Sequence, residues 1–388
     1  MIELPYWPLC LVLLIFPSPL SSSSASSAST HCDLRLNSSP QWFYVDGIPH
    51  YYDEEMNVCS LHLPSPSSSS SSSKKVYMLD FGDSFEWGAC REHGSKKKEY
   101  RNTFIGSLTG SVKLCSLPNN PLQIISSRIY GIDGDMRYSN ISSLESIAET
   151  SKVLSRHDVN VKTDVQVVTY GSFVWDLKHR HEKYCSSLLQ KGNVSATLAA
   201  NAVLLLACGP FLSRMDKYLS LPSSLSTSQI PLEAWSNYQL PWCKSDALEK
   251  WKKGYLIILS SILENFPNSK IALRTQAISG HVLYGNKHCY TPMNNFIRYI
   301  ASLKTSQFLK LLSLFRVNYK FVASDIRYIA PDVPFALIDQ QALAVSAVED
   351  DGETPRYAED FIHLYENGGY RHYRLYLEKV ALQLTAAS

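Results

Sequence analysis

The sequence carries little charge and no excess of either sign. Charged residues make up 19% of it and the net charge at pH 7 is +2, which leaves no electrostatic case for nucleic acid as a partner. A membrane-length apolar run is also missing, because Leu9 to Phe16 falls well short of the ~20 residues that a span requires. None of the nine cysteines has Cys-x-x-Cys or other metal-ligand spacing, so no metal is expected. No long exposed apolar lid is evident, which argues for a polar substrate over a lipid.

What is present points out of the cytosol. The apolar segment and the run of small residues from Ser21 onward read as a signal peptide over residues 1–25, although its leading residues hold Glu3 and no Lys or Arg. The expectation is a secreted protein or one in the lumen of the secretory pathway, the Golgi included if the apolar segment is retained. Cys10 lies inside this segment, leaving Cys32, Cys59, Cys90, Cys115, Cys185, Cys208, Cys243 and Cys289. An even set suits an oxidising compartment and up to four disulfides. Their connectivity stays open, since eight cysteines allow 105 pairings. Sequons at Asn37, Asn140 and Asn193 agree with the same route.

Three composition shifts divide the chain. Residues 26–63 form a front segment bounded by Cys32 and Cys59 and rich in aromatics (Trp42, Phe43, Tyr44, Tyr51, Tyr52). These rings suit packing onto the main domain or stacking on sugars. Residues 64–73 are a Ser-rich linker that cannot bury a core. The catalytic domain is expected over residues 74–388, with an insertion near 190–240 to which no chemistry is assigned.

This domain is organised around Val76 to Phe81, an apolar strand followed by Gly82-Asp83-Ser84. Gly82 permits a tight turn, and Ser84 would lie at the carboxyl edge of a parallel sheet, where such sheets bind ligands. Its own N–H can help hold an oxyanion. Near the other end stand Asp360 and His363. Three residues apart on one helical turn, the carboxylate can fix the imidazole tautomer and leave the second nitrogen to take the serine proton.

Further apolar runs predict strands over Leu122 to Tyr130, Asp164 to Tyr170, Lys270 to Thr275 and Phe335 to Asp339. Helical spacing covers Ser142 to Ser155, Ser245 to Phe266, Met293 to Leu303 and Gln307 to Phe315. Leu144, Ile147, Ala148 and Val153 are read as the apolar stripe of the first. Ala196 to Cys208 reads as a buried helix. Asp339 is a possible rival to Asp360, without its fixed spacing to His363. Alternating strands and helices argue a parallel, three-layer α/β fold. Lys96 to Lys98 and Lys178 to His181 are local basic spots. Both read as solvated faces, the second also able to serve an acidic polysaccharide.

With Gly82-Asp83-Ser84 and Asp360-x-x-His363 in place, the chain resembles the SGNH/GDSL hydrolase superfamily. Val165 to Leu177, containing Gly171 and Trp175-Asp176, is similar to a block of the branch that holds PC-esterases and trichome-birefringence-like O-acetyltransferases. Arg274-Thr275 resembles the Arg-Thr that follows a later strand there. The resemblance implies a mostly parallel, five-stranded flavodoxin-like sheet and a Ser84–His363–Asp360 triad. It implies a second oxyanion N–H from Gly131 or Gly134, with Gly131 preferred. The Asn that other members place in the third block is missing, so a backbone N–H near Gly171 or another side chain is expected to substitute. Trp175 would wall the site or lie buried, and Arg274 would hold a substrate oxygen or steady a loop. The implied substrate is an acylated glycan, handled by a monomer that needs no cofactor, no metal and no nucleic acid. The other reading is a catalytically inactive carbohydrate-binding protein on the same fold.

Overall fold

Strands buried on both faces need helices above and below them, and this chain alternates the two. The computed structural model describes residues 42–45, 48–52, 58–60, 75–82, 112–114, 122–132, 142–171, 173–190, 204, 207–209, 211–212, 240–276, 287–340 and 384. Ser84, Asp360 and His363, residues 1–25 and the linker lie outside the described residues, as does most of the 190–240 stretch.

The front segment forms a small antiparallel sheet of β1 (Trp42–Val45), β2 (Ile48–Tyr52) and β3 (Val58–Ser60) in that order. Val45 pairs with Ile48, and Asp46-Gly47 stands between them in the sequence, a residue pair that favours tight hairpins.

The main sheet has six strands: β4 (Val76–Gly82), β5 (Val112–Leu114), β6 (Leu122–Arg128), β7 (Val165–Tyr170), β8 (Lys270–Arg274) and β9 (Phe335–Ile338). They lie in the order β5-β6-β4-β7-β8-β9. Five are parallel, and β5 pairs antiparallel on the β6 edge. Taking the parallel five alone, the first strand in sequence lies between the second and third, an arrangement compatible with a flavodoxin-like sandwich. Such a sheet switches direction between β4 and β7, and ligands of open α/β sheets settle in the crevice outside that point. Five parallel strands match the sequence reading, and β5 is an addition to it.

Among the described residues the α-helices include α1 (Ser143–Arg156), α2 (Val174–Gln190), α3 (Ser245–Asn265), α4 (Lys287–Ala301) and α5 (Thr305–Leu314). Ser142 caps α1 through a reciprocal capping box with Glu145, satisfying N–H groups that the helix itself leaves unpaired. The Ser142 N–H holds the Glu145 carboxyl below its ordinary range, so this contribution to stability is present above that range and is lost as pH falls through the lowered value. The buried face of α1 is Ser143, Ile147, Thr150, Val153 and Leu154, whereas Leu144 faces solvent. Helix α1 packs along α3, and α4 packs against β8 and β9. Leu79, Phe81, Val168 and Ile271 from the strands join Trp251, Leu259 and Phe308 from the helices in one buried cluster.

Two disulfides tie down the helical shell. Cys185 of α2 bonds to Cys208, whose neighbours Leu204, Ala207 and Leu212 are helical and buried. Cys243, just before α3, bonds to Cys289 of α4. His181 lies beside the first bridge and pairs through Nε2 with the Ala207 carbonyl at 2.8 Å. A sulfur bonded to sulfur is no thiolate, so this grouping does not hold a metal while oxidised.

Peptide mapping without reduction is expected to recover Cys185–Cys208 and Cys243–Cys289. From sequence separations of 23 and 46, replacing each pair by alanine should cost about 3 and about 4 kcal/mol in urea unfolding. Any other pairing of these four cysteines contradicts the fold.

Candidate active site

The parallel strands deliver Gly82, Gly131, Gly171, Thr275 and Asp339 to one carboxyl edge of the sheet. Strand β4 is an interior member, flanked by β6 and β7 and lying on one side of the switch point. Gly82, the residue before Asp83-Ser84 in the sequence, therefore stands at this edge beside the switch point.

A buried ion pair fixes the end of β4. Asp80 is 2% exposed and Arg274 0%, and Arg274 Nη2 lies 2.8 Å from Asp80 Oδ1. The same nitrogen donates to the Phe81 carbonyl at 2.7 Å. Thr169 of β7 donates its hydroxyl to Asp80 as well. Since β7 lies between β4 and β8, the arginine must pass over it, and it does so at Gly171. A Cβ added there would sit 2.9 Å from Arg274 Cβ and 3.0 Å from its carbonyl oxygen. The lack of a side chain at 171 is what lets the guanidinium cross. Removing two charges from water is costly unless each finds a partner, and this geometry provides one.

Two sequence expectations change here. The Gly171 N–H donates to the Phe81 carbonyl at 3.1 Å, so it serves the strand junction and is not a ready oxyanion donor. Arg274 steadies backbone and carboxylate inside the protein, and with no exposed surface it is closed to a substrate oxygen.

The turn after β6 is held from three sides. Gly131 has φ +72°, a left-handed conformation that glycine adopts at no steric cost. Its carbonyl accepts from the Ser143 hydroxyl of α1. The Ile132 N–H donates to Asp176 Oδ1 at 2.6 Å, while Asp176 Oδ2 accepts from Trp251 Nε1 of α3 at 2.9 Å. Gly254, also on α3, leaves room for Ile132, whose Cγ2 lies 2.6 Å from where a Cβ would be. Asp176 is thus a positioning residue that ties α2, α3 and the turn together. Trp175, 8% exposed, meets Tyr130 edge-on at 4.9 Å and carries Lys178 above its ring at 4.2 Å. It packs against the turn as a buried ring.

Further along the edge, Asp339 is engaged twice by Arg298, Nε to Oδ2 at 2.8 Å and Nη2 to Oδ1 at 3.0 Å. Thr275 donates its hydroxyl to the same carboxylate at 2.8 Å. A carboxylate held by a bidentate arginine is poorly placed to orient a histidine, which weakens Asp339 as a rival to Asp360. Below the edge, burial raises the Tyr170 hydroxyl well above its usual value, with Tyr255 and Asp176 adding to the effect and Arg274 opposing it. It stays a neutral phenol.

Asp80, Thr169, Trp251 and Gly254 were missed in the sequence reading. Asp80 did leave a signal, since a carboxylate inside an apolar strand demands a buried cation. No family model, no curated protein and no solved structure matches the chain.

Replacing one partner alone, as in Asp80→Asn or Arg274→Met, should cost about 3–5 kcal/mol in chemical denaturation. The double variant Asp80→Leu/Arg274→Met should recover most of that loss. Gly131→Ala should destabilise by about 1–3 kcal/mol, because it combines an unfavourable φ with a clash on Asp176.

Proposed function

We propose that the chain is an SGNH-type serine acyl-transfer enzyme acting on acylated glycans outside the cytosol. Ser84 Oγ attacks the ester carbonyl, His363 takes the hydroxyl proton, and Asp360 holds the imidazole in the required tautomer. Negative charge on the carbonyl oxygen is met by the Ser84 N–H and by Gly131 of the turn after β6. Collapse expels the sugar alcohol, which receives the proton from His363 and leaves acyl-Ser84. Water or a second sugar hydroxyl then attacks the acyl group, His363 removes its proton, and Ser84 is released. Hydrolysis and transfer differ in the acceptor alone.

The observation that carries this reading is the position of β4. Gly82, which precedes Asp83-Ser84 in the sequence, ends an interior parallel strand beside the switch point of the sheet, the place where α/β sheets bind ligands. The rigid turn at Gly131 supports it too, since an oxyanion donor is useful only when its position is preset.

A second reading, an inactive carbohydrate-binding protein on the same fold, draws support from the Gly171 N–H, which is already bonded within the sheet. A fluorophosphonate probe separates the two. Wild-type protein should label and Ser84→Ala should not; equal labelling of both removes the enzyme reading. Incubation with an acetylated oligosaccharide should release acetate when no unacetylated acceptor is present and, if the enzyme transfers, should move the acetyl group to the acceptor when one is added.

A further inference from the structure

We infer that a cationic groove beside the Gly131 turn binds an acidic glycan, one bearing carboxylate or sulfate groups. The inference rests on the acyl-transfer reading for its biological use, not for its geometry.

Two clefts of about 580 and about 520 Å3 share Lys250 and Lys253 of α3. The larger adds His179, Arg180 and Lys183 of α2, and the smaller adds Arg316 just beyond α5. Five lysine and arginine side chains thus line these clefts in a chain whose net charge is +2. Three acids share the lining, and two are already committed. Asp176 is bound by the Ile132 N–H and Trp251, and Glu249 accepts from Lys252 at 2.6 Å. Asp246 is the third. Arg180 is anchored across the groove by donating to the Ala247 carbonyl of α3. Lys183, Lys250 and Lys253 are exposed.

Half-buried Ile132 and Ile257 line the larger cleft beside the cations. Apolar side chains among cationic ones suit a sugar ring that carries an anionic substituent. Two clefts that share Lys250 and Lys253 suit a chain more than a compact metabolite. Nucleic acid fits less well, because single strands are held by stacking on exposed aromatic rings and Trp251 is 1% exposed. Ile132 and Asp176 belong both to the groove and to the turn that carries Gly131. A glycan in the groove would therefore approach the carboxyl edge of the sheet.

Affinity electrophoresis of the full chain through gels containing polygalacturonate, dextran sulfate or neutral dextran tests this. Retardation by at least one acidic polymer and none by neutral dextran is expected, and comparing the two acidic gels tells carboxylate from sulfate. Retardation should fade as NaCl rises from about 50 to about 300 mM. Lys250→Gln/Lys253→Gln, two exposed substitutions that should leave unfolding unchanged, should weaken binding about tenfold. The inference is overturned if neither acidic polymer retards the chain, if the double variant migrates like wild type, or if a single-stranded oligonucleotide of equal charge binds more tightly. Ser84→Ala should still be retarded. Retardation without serine labelling would sink the enzyme reading and keep the groove, and labelling without retardation would do the reverse.

Discussion

One ion pair, Asp80 with Arg274, holds the middle of the sheet's carboxyl edge in place. It runs from β4 across β7 to β8 and is sealed from water at both ends. Its geometry dictates its surroundings. Gly171 must lack a side chain so the arginine can cross, Thr169 supplies a further hydrogen bond to the carboxylate, and the Phe81 carbonyl takes the remaining reach of the guanidinium. All of these contacts fall within two residues of Gly82, where the Gly-Asp-Ser turn begins. A buried pair of this kind is weak as a source of net stability. Its effect is on register, because any slip of β4 against β8 would strand one charge.

The turn at Gly131 obeys a different logic, in which hydrogen bonds from two helices and a packing notch on a third converge on two residues. Ser143 takes the carbonyl, Asp176 takes the following N–H, and the notch at Gly254 receives Ile132. Because Asp176 is shared with Trp251, motion of the turn would disturb α2 and α3 together. The groove uses those same two helices as walls, which couples whatever fills it to the turn through a few rigid contacts.

Much of this fold was legible in the sequence. Each parallel strand is an apolar run closed by glycine or a polar residue, and each was located to within two residues. Helix α2 escaped because its buried stripe is Leu177, His181, Cys185 and Leu188, which includes a polar and a sulfur-bearing residue and hides the period. The β1–β2 hairpin is harder to read, because Asp46-Gly47 is a short signal and the aromatic strands beside it suit any packed surface. The site was legible by residue type and less so by role. Arg274, Gly171 and Asp176 were singled out correctly as residues near the edge. Their task, holding one another and the backbone, depends on who crosses whom in space, and no spacing along a chain encodes that.

The distance between the two halves of the central pair also bears on how the chain is made. Arg274 reaches back 193 positions to the Phe81 carbonyl, so a ribosome must have released most of the polypeptide before β4 can lose its uncompensated carboxylate. Until then the nascent strand carries a charge that resists docking into an apolar layer. The contact that compensates this carboxylate is therefore a late-closing one, formed only after most of the chain has been made.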